Sequence, residues 1–110
     1  MDYSNIKILV SLYQQSMPPE NIGLNREQTR LFLIDFMGVN IAKSTLSEYI
    51  KHLSIYVEGF NHDLYSRGFD RESILIIAVY KCLIQVFGMS QALDKVNTQS
   101  QEALKWLQNQ

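Results

Sequence analysis

The chain has 110 residues, 46% of them hydrophobic and 19% charged, with a formal net charge of −1 and a single cysteine. That length holds one hydrophobic core, hence a single domain over 1–110, and the apolar content excludes a disordered chain. The lone Cys82 excludes a disulfide framework or a cysteine-built metal site, and the net charge of −1 weighs against a nucleic-acid-binding protein, since such domains are typically basic.

The opening Met1-Asp2-Tyr3 has no basic region ahead of an apolar run, so a secretory leader is not expected. The most apolar stretch, Ile74 to Phe87, is interrupted by Lys81 and Gln85 and is too short to cross a bilayer. A reducing, cytoplasmic setting is the expectation.

In chain order, Ile6, Leu9, Val10, Tyr13 and Met17 recur at helical spacing and predict an N-terminal helix over 3–17, ended by Pro18-Pro19. Asn25 is placed to cap a second helix from Arg26 to Met37, and Gly38 to end it in a left-handed conformation. After a short connection, Lys43 to Leu53 predicts a third helix. Its start is assigned to the hydroxyls of Ser44 and Thr45, with Thr45 and Glu48 spaced as a capping box. Leu46, Ile50 and Leu53 form its buried stripe. Lys43, Ser47, Lys51 and His52 form a polar face of hydroxyls and donors suited to phosphates and base edges.

Beyond Leu53 the composition turns β-prone. Ser54–Phe60 and Leu64–Phe69 flank the turn triplet Asn61-His62-Asp63 and predict a β-hairpin. Asp70 is placed to cap a long apolar helix, Arg71 to Phe87, expected to be the central core helix. A last helical region from Ser90 to Leu107 carries a heptad-like stripe, with the polar run Asn97–Gln101 as a point where it could divide. Apolar residues this late in the chain, Trp106 above all, predict a packing partner.

Helix, glycine, short connection, polar-faced helix and hairpin is the order of parts in a winged helix-turn-helix. The chain resembles the DNA-binding domain of the MerR-type transcription regulators over about Arg26 to Val96. Thr45-Leu46-Ser47-Glu48-Tyr49 stands where that family has a threonine-leucine-arginine-x-tyrosine core in its recognition helix. Arg67-Gly68-Phe69-Asp70-Arg71-Glu72 stands at the close of its wing, and Gly88-Met89-Ser90 at a later helix step. Ser47 departs from the family's arginine, the connection after Gly38 is about two residues longer, and no effector-binding domain follows.

The expected fold is therefore mainly α with a small β-hairpin: a helix-turn-helix plus wing over 25–72, an extra N-terminal helix, and core and C-terminal dimerisation helices over 70–110. The resemblance implies a dimeric, sequence-specific DNA-binding regulator, expected to be a repressor without a ligand-sensing domain, acting on double-stranded operator DNA of palindromic form. By position in the family, Thr45 and Tyr49 would contact phosphates or align the helix, and Arg67 on the wing would reach a phosphate. Lys43, Ser44, Ser47, Lys51 and His52 follow from the exposed helical face, with Asn61 and His62 at the wing tip. Leu93, Val96, Leu104, Trp106 and Leu107 are the expected dimer interface.

Enzyme chemistry finds no support in these residues. His52 and His62 lie ten apart without zinc-ligand partners, Glu48 and His52 read as a surface pair, and the glycines are isolated, so neither a metal nor a cofactor is expected. The competing reading is a small helical protein-interaction module, in which Lys43, Lys51, Arg67 and Arg71 would scatter and not share a face.

Overall fold

The computed structural model describes residues 4–17, 23–60 and 68–108. They form five helices: α1 (Ser4–Ser16), α2 (Arg26–Met37), α3 (Lys43–Tyr56), α4 (Arg71–Phe87) and α5 (Met89–Gln108). The expected winged architecture is not what forms: no strand occurs among the described residues. Their one extended pairing is an isolated antiparallel bridge, in which Leu24 N–H donates to the Phe69 carbonyl at 3.2 Å and Phe69 N–H to the Leu24 carbonyl at 2.7 Å.

The hairpin reading failed because the helical period outlasts the change in composition. Leu46, Ile50, Leu53 and Val57 continue one buried stripe at spacings of four, three and four, so α3 runs on to Tyr56 through the segment read as a strand. Ile55 and Tyr56, whose β propensity suggested the strand, point outward on this helix and are 77% and 49% exposed. Ser54 Oγ donates back to the Ile50 carbonyl at 2.8 Å, spending its hydroxyl inside the helix. Propensity here yields to packing. The expected turn Asn61-His62-Asp63 and Arg67 lie outside the described residues.

The start of α3 is also corrected. Its N-cap is Ala42, which offers no side-chain acceptor, and Thr45 and Glu48 lie within the helix and not at its boundary. A true capping box stands one helix earlier. Asn25 Oδ1 accepts from Gln28 N–H at 2.7 Å, and Gln28 Oε1 accepts from Asn25 N–H at 2.9 Å. Gly38 closes α2 at φ 69°, its N–H donating to the Ile34 carbonyl. Asp70 caps α4 by accepting from Ser73 N–H at 2.7 Å.

Helix α4 is the hub and touches each of the other four, most extensively α5. Every residue from Ile74 to Tyr80 is buried, so no face of its middle turns meets water. Each large side chain so buried stabilises the fold by roughly 1.5–3 kcal/mol before entropy is charged against it. Helix α5 answers with small residues: Ala92, Val96, Ser100 and Ala103 are fully buried and let the two helices lie close.

The polar run Asn97–Gln101 does not divide α5, because two of its members are occupied in holding the end of α3. Asn97 Oδ1 accepts from Glu58 N–H at 2.9 Å, and Gln101 Nε2 donates to the Glu58 carbonyl at 2.9 Å. The C-terminal apolar residues likewise find their partner within the chain. Val96 is fully buried, and Leu93, Leu104, Trp106 and Leu107 pack partly buried against the same core. Gln14 Nε2 of α1 donates to the Trp106 carbonyl at 3.2 Å, and Lys7 Nζ lies 5.5 Å from the Trp106 ring centre. The stripe read as a dimerisation surface is the seat of α1 and α4.

Candidate nucleic-acid interface

Helices α2 and α3 and the turn at 38–42 bring together a set of cations and hydroxyls. A shallow concavity of about 330 Å³ is lined by Arg26, Glu27 and Arg30 from α2 and by Lys43, Ser44 and Ser47 from α3. Local structure explains why they converge. The capping box fixes where α2 begins, which puts Arg26 in its first turn and Arg30 one turn further along the same side. That side borders the face buried through Thr29 and Leu33, so both arginines are half-buried where α2 meets α3. The uncapped start of α3 then presents Lys43 and Ser44 opposite, both exposed.

Two polar links, Arg26 to Ser47 and Arg30 to Ile41, tie the two helices and their turn, and a third bond within α3 fixes Ser47. Arg26 Nη1 donates to Ser47 Oγ at 2.9 Å, and Ser47 Oγ donates to the Lys43 carbonyl at 3.1 Å. Arg30 Nη1 donates to the Ile41 carbonyl at 3.0 Å, pinning the turn against α2. The rest of the Arg30 fork meets Glu27: Nη2 donates to Oε1 at 2.6 Å and Nε to Oε2 at 3.0 Å. The Arg30 guanidinium beside it holds the Glu27 carboxyl below the usual carboxylate range, with Lys43 adding to the same effect.

The arrangement is suited to a polyanion. Three cations face one carboxylate around two hydroxyls, and the first N–H groups of α3 lack a side-chain acceptor, leaving the positive end of that helix open. A phosphate needs those donors.

Of the residues predicted from sequence, Lys43, Ser44 and Ser47 lie in this concavity. Lys51 is exposed further along α3, and Thr45 is half-buried. Tyr49 and His52 face inward. Tyr49 is buried, its hydroxyl accepts from Lys81 Nζ at 3.2 Å, and its ring meets Tyr80 edge-on with centroids 5.2 Å apart. His52 Nδ1 shares a hydrogen bond of 2.8 Å with the Tyr80 hydroxyl. Both side chains fasten α3 to α4 and are not offered to a ligand. Asn61, His62 and Arg67 lie outside the described residues. The four cations expected on one face do not gather there: Arg71 lines a separate depression with Met17, Asp70, Glu72 and Leu107.

Arg26 and Arg30 are the site residues that the sequence reading missed. The available signal was two arginines one turn apart, bordering the face of α2 that Thr29 and Leu33 bury.

Among the described residues no group of three His, Cys, Asp or Glu side chains could hold a metal ion, and no helix is long and apolar enough to cross a membrane. Burial pushes the Cys82 thiol up, away from thiolate chemistry. No family model, curated protein or solved structure matches this chain.

Proposed function

We propose that the chain is a DNA-binding transcription regulator that engages double-stranded DNA through the α2–α3 helix pair. The observation that carries this reading is the convergence of Arg26, Arg30, Lys43, Ser44 and Ser47 at the open start of α3. A helix-turn-helix places the N-terminal residues of its second helix at the groove, with phosphate contacts from both helices fixing the register. In that pose Lys43 and the first N–H groups of α3 meet backbone phosphates. Ser44, Ser47 and Lys51 lie along the helix toward base edges. The overall charge of −1 makes this local concentration of cations the source of affinity. Regulation of this kind is proposed as repression, by occupancy of the operator. A reporter whose output rises with the protein present would overturn that sign.

The test is a titration of a fluorescent duplex enriched by the protein from a random library, against a scrambled duplex, at two salt concentrations. Lys43→Ala and Lys51→Ala are titrated beside the parent. The expected result is selective binding that weakens with salt, with the slope of log affinity against log salt reduced by about one for each phosphate-contacting lysine removed. No enriched sequence, or variants that bind like the parent, would overturn the proposal.

The second reading, a protein-interaction module, is favoured by two features. Arg71 stands apart from Lys43 and Lys51, the scatter that this reading expects. Ile8 and Leu12 lie one turn apart on α1 and are 57% and 50% exposed, an apolar pair on an outward face. Loss of the DNA reading would leave it standing.

A further inference from the structure

The clearest feature that DNA contact alone leaves unexplained is the carboxylate in the middle of the cationic concavity. Glu27 occupies the Arg30 fork through two parallel hydrogen bonds, the geometry in which a guanidinium takes a phosphate. The third arm of Arg30 is held by the Ile41 carbonyl, so its plane is fixed by the turn and not by Glu27. Glu27 itself is exposed and, among the described residues, hydrogen-bonds to no other element, and Lys43 is near enough to lower its pKa further. The site thus holds an oriented guanidinium whose outward edge is filled by a carboxylate of its own chain.

Resting on the DNA reading, we propose that Glu27 is an internal stand-in for a phosphate, a masking residue that sets how tightly the α2–α3 surface holds a polyanion. A phosphate oxygen pair entering the concavity takes the Arg30 fork in place of the Glu27 carboxylate, which swings into solvent. Arg26 and Lys43 stay in place throughout. The exchange of one anion for another offsets most of the gain from the Arg30 contact. Contacts elsewhere on the duplex must therefore supply the remaining affinity, and this is what holds non-specific binding down in a chain that still carries three cations at one spot.

Simple repulsion between Glu27 and DNA would act whether or not Arg30 is present, whereas masking requires Arg30. A double-mutant cycle separates them, using Glu27→Gln, Arg30→Gln and the pair, titrated against a fluorescent duplex of fixed sequence at two salt concentrations. Masking predicts that Glu27→Gln tightens binding and steepens the salt slope by about one, and that this gain shrinks markedly in the Arg30→Gln background. The Arg30 Nε–H resonance should shift on adding duplex to Glu27→Gln. Because Arg30 also pins the turn, circular dichroism of each variant accompanies the titration, and the resonance shift is read in protein that retains Arg30. Equal gains in both backgrounds, or no gain, would overturn the masking role while leaving DNA binding intact. Failure of the parent and Glu27→Gln alike to bind any duplex would overturn both.

Discussion

The α4–α5 pair and the α2–α3 pair spend their residues in opposite ways. Helix α4 buries seven successive residues, Ile74 to Tyr80, and meets the small side chains of α5 along its flank. Helix α2 fully buries only Thr29 and Leu33, leaves Leu31 52% exposed, and holds Arg26 and Arg30 half-buried at the edge of a concavity. The first pair is where apolar burial offsets the entropy of ordering the chain. The second is shaped by caps, a glycine turn and arginine links, which fix geometry at little cost in surface. A protein divided this way can present an exposed cation such as Lys43 without risking its fold.

The largest test of that division is a pair of truncations read by urea denaturation. Ile77→Ala removes a side chain with no exposed surface from the middle of α4 and is expected to cost about 2–5 kcal/mol. Lys43→Ala, on the exposed rim, is expected to change stability by less than about 0.5 kcal/mol while weakening binding. A Lys43 variant as unstable as the Ile77 variant would break the comparison, because the rim would then be part of the structural frame.

A smaller effect is expected where the two regions are tied together. The Leu24–Phe69 bridge joins the segment before α2 to the segment before α4, and Gly68 stands beside it at φ 138°. A Cβ at Gly68 would lie 2.8 Å from the Gly23 carbonyl carbon, a contact that backbone atoms cannot relieve cheaply. Gly68→Ala is therefore expected to cost on the order of 1–3 kcal/mol through strain and loss of the bridge. A thermal melt indistinguishable from the parent would show that the two segments do not need this close approach.

The same division governs what could be read from sequence alone. The helices set by caps and by long apolar periods were legible: Asn25, Gly38, Asp70 and Gly88 mark real boundaries, and Ile74–Phe87 is the core helix its composition promised. The hairpin was misread because Ile55 and Tyr56 are β-prone by type, while their neighbours Leu53 and Val57 keep a helical register that only burial reveals. Tyr49, three after Leu46 and four before Leu53, falls on the buried stripe by spacing, whereas His52, next to the exposed Lys51, lies at the edge of that stripe where spacing does not decide. Their inward direction is set by Tyr80 and Lys81, some thirty positions away in the chain. Trp106 correctly announced a packing partner, but a sequence does not say whether that partner is a second chain or α1.

The smallest expected effect concerns protons at the seam between the two regions. Burial pushes the Tyr80 phenol up to about 12, with the neighbouring Tyr49, Glu48 and Tyr56 adding to the shift, and burial raises Tyr13 as well. An unfolded tyrosine loses its proton near pH 10, roughly its unperturbed value, while the folded chain resists that loss. Between those limits the unfolded state binds fewer protons, so the stability these tyrosines contribute is complete below about pH 10 and falls as pH rises toward 12. Tyr80→Phe removes one ionising group, so the decline of the urea midpoint over this window should become shallower. An unchanged slope would show that Tyr80 does not carry the alkaline loss. On the open rim the direction reverses. The Glu27 carboxyl is lowered by Arg30, so its contribution is present above the ordinary carboxylate range and lost as pH falls through its folded value. Because the Glu27 carboxylate of that pair is exposed, solvent screening keeps its effect on stability below that of Tyr80. The acid limb should therefore barely respond to Glu27→Gln, the same substitution that the masking proposal expects to tighten DNA binding.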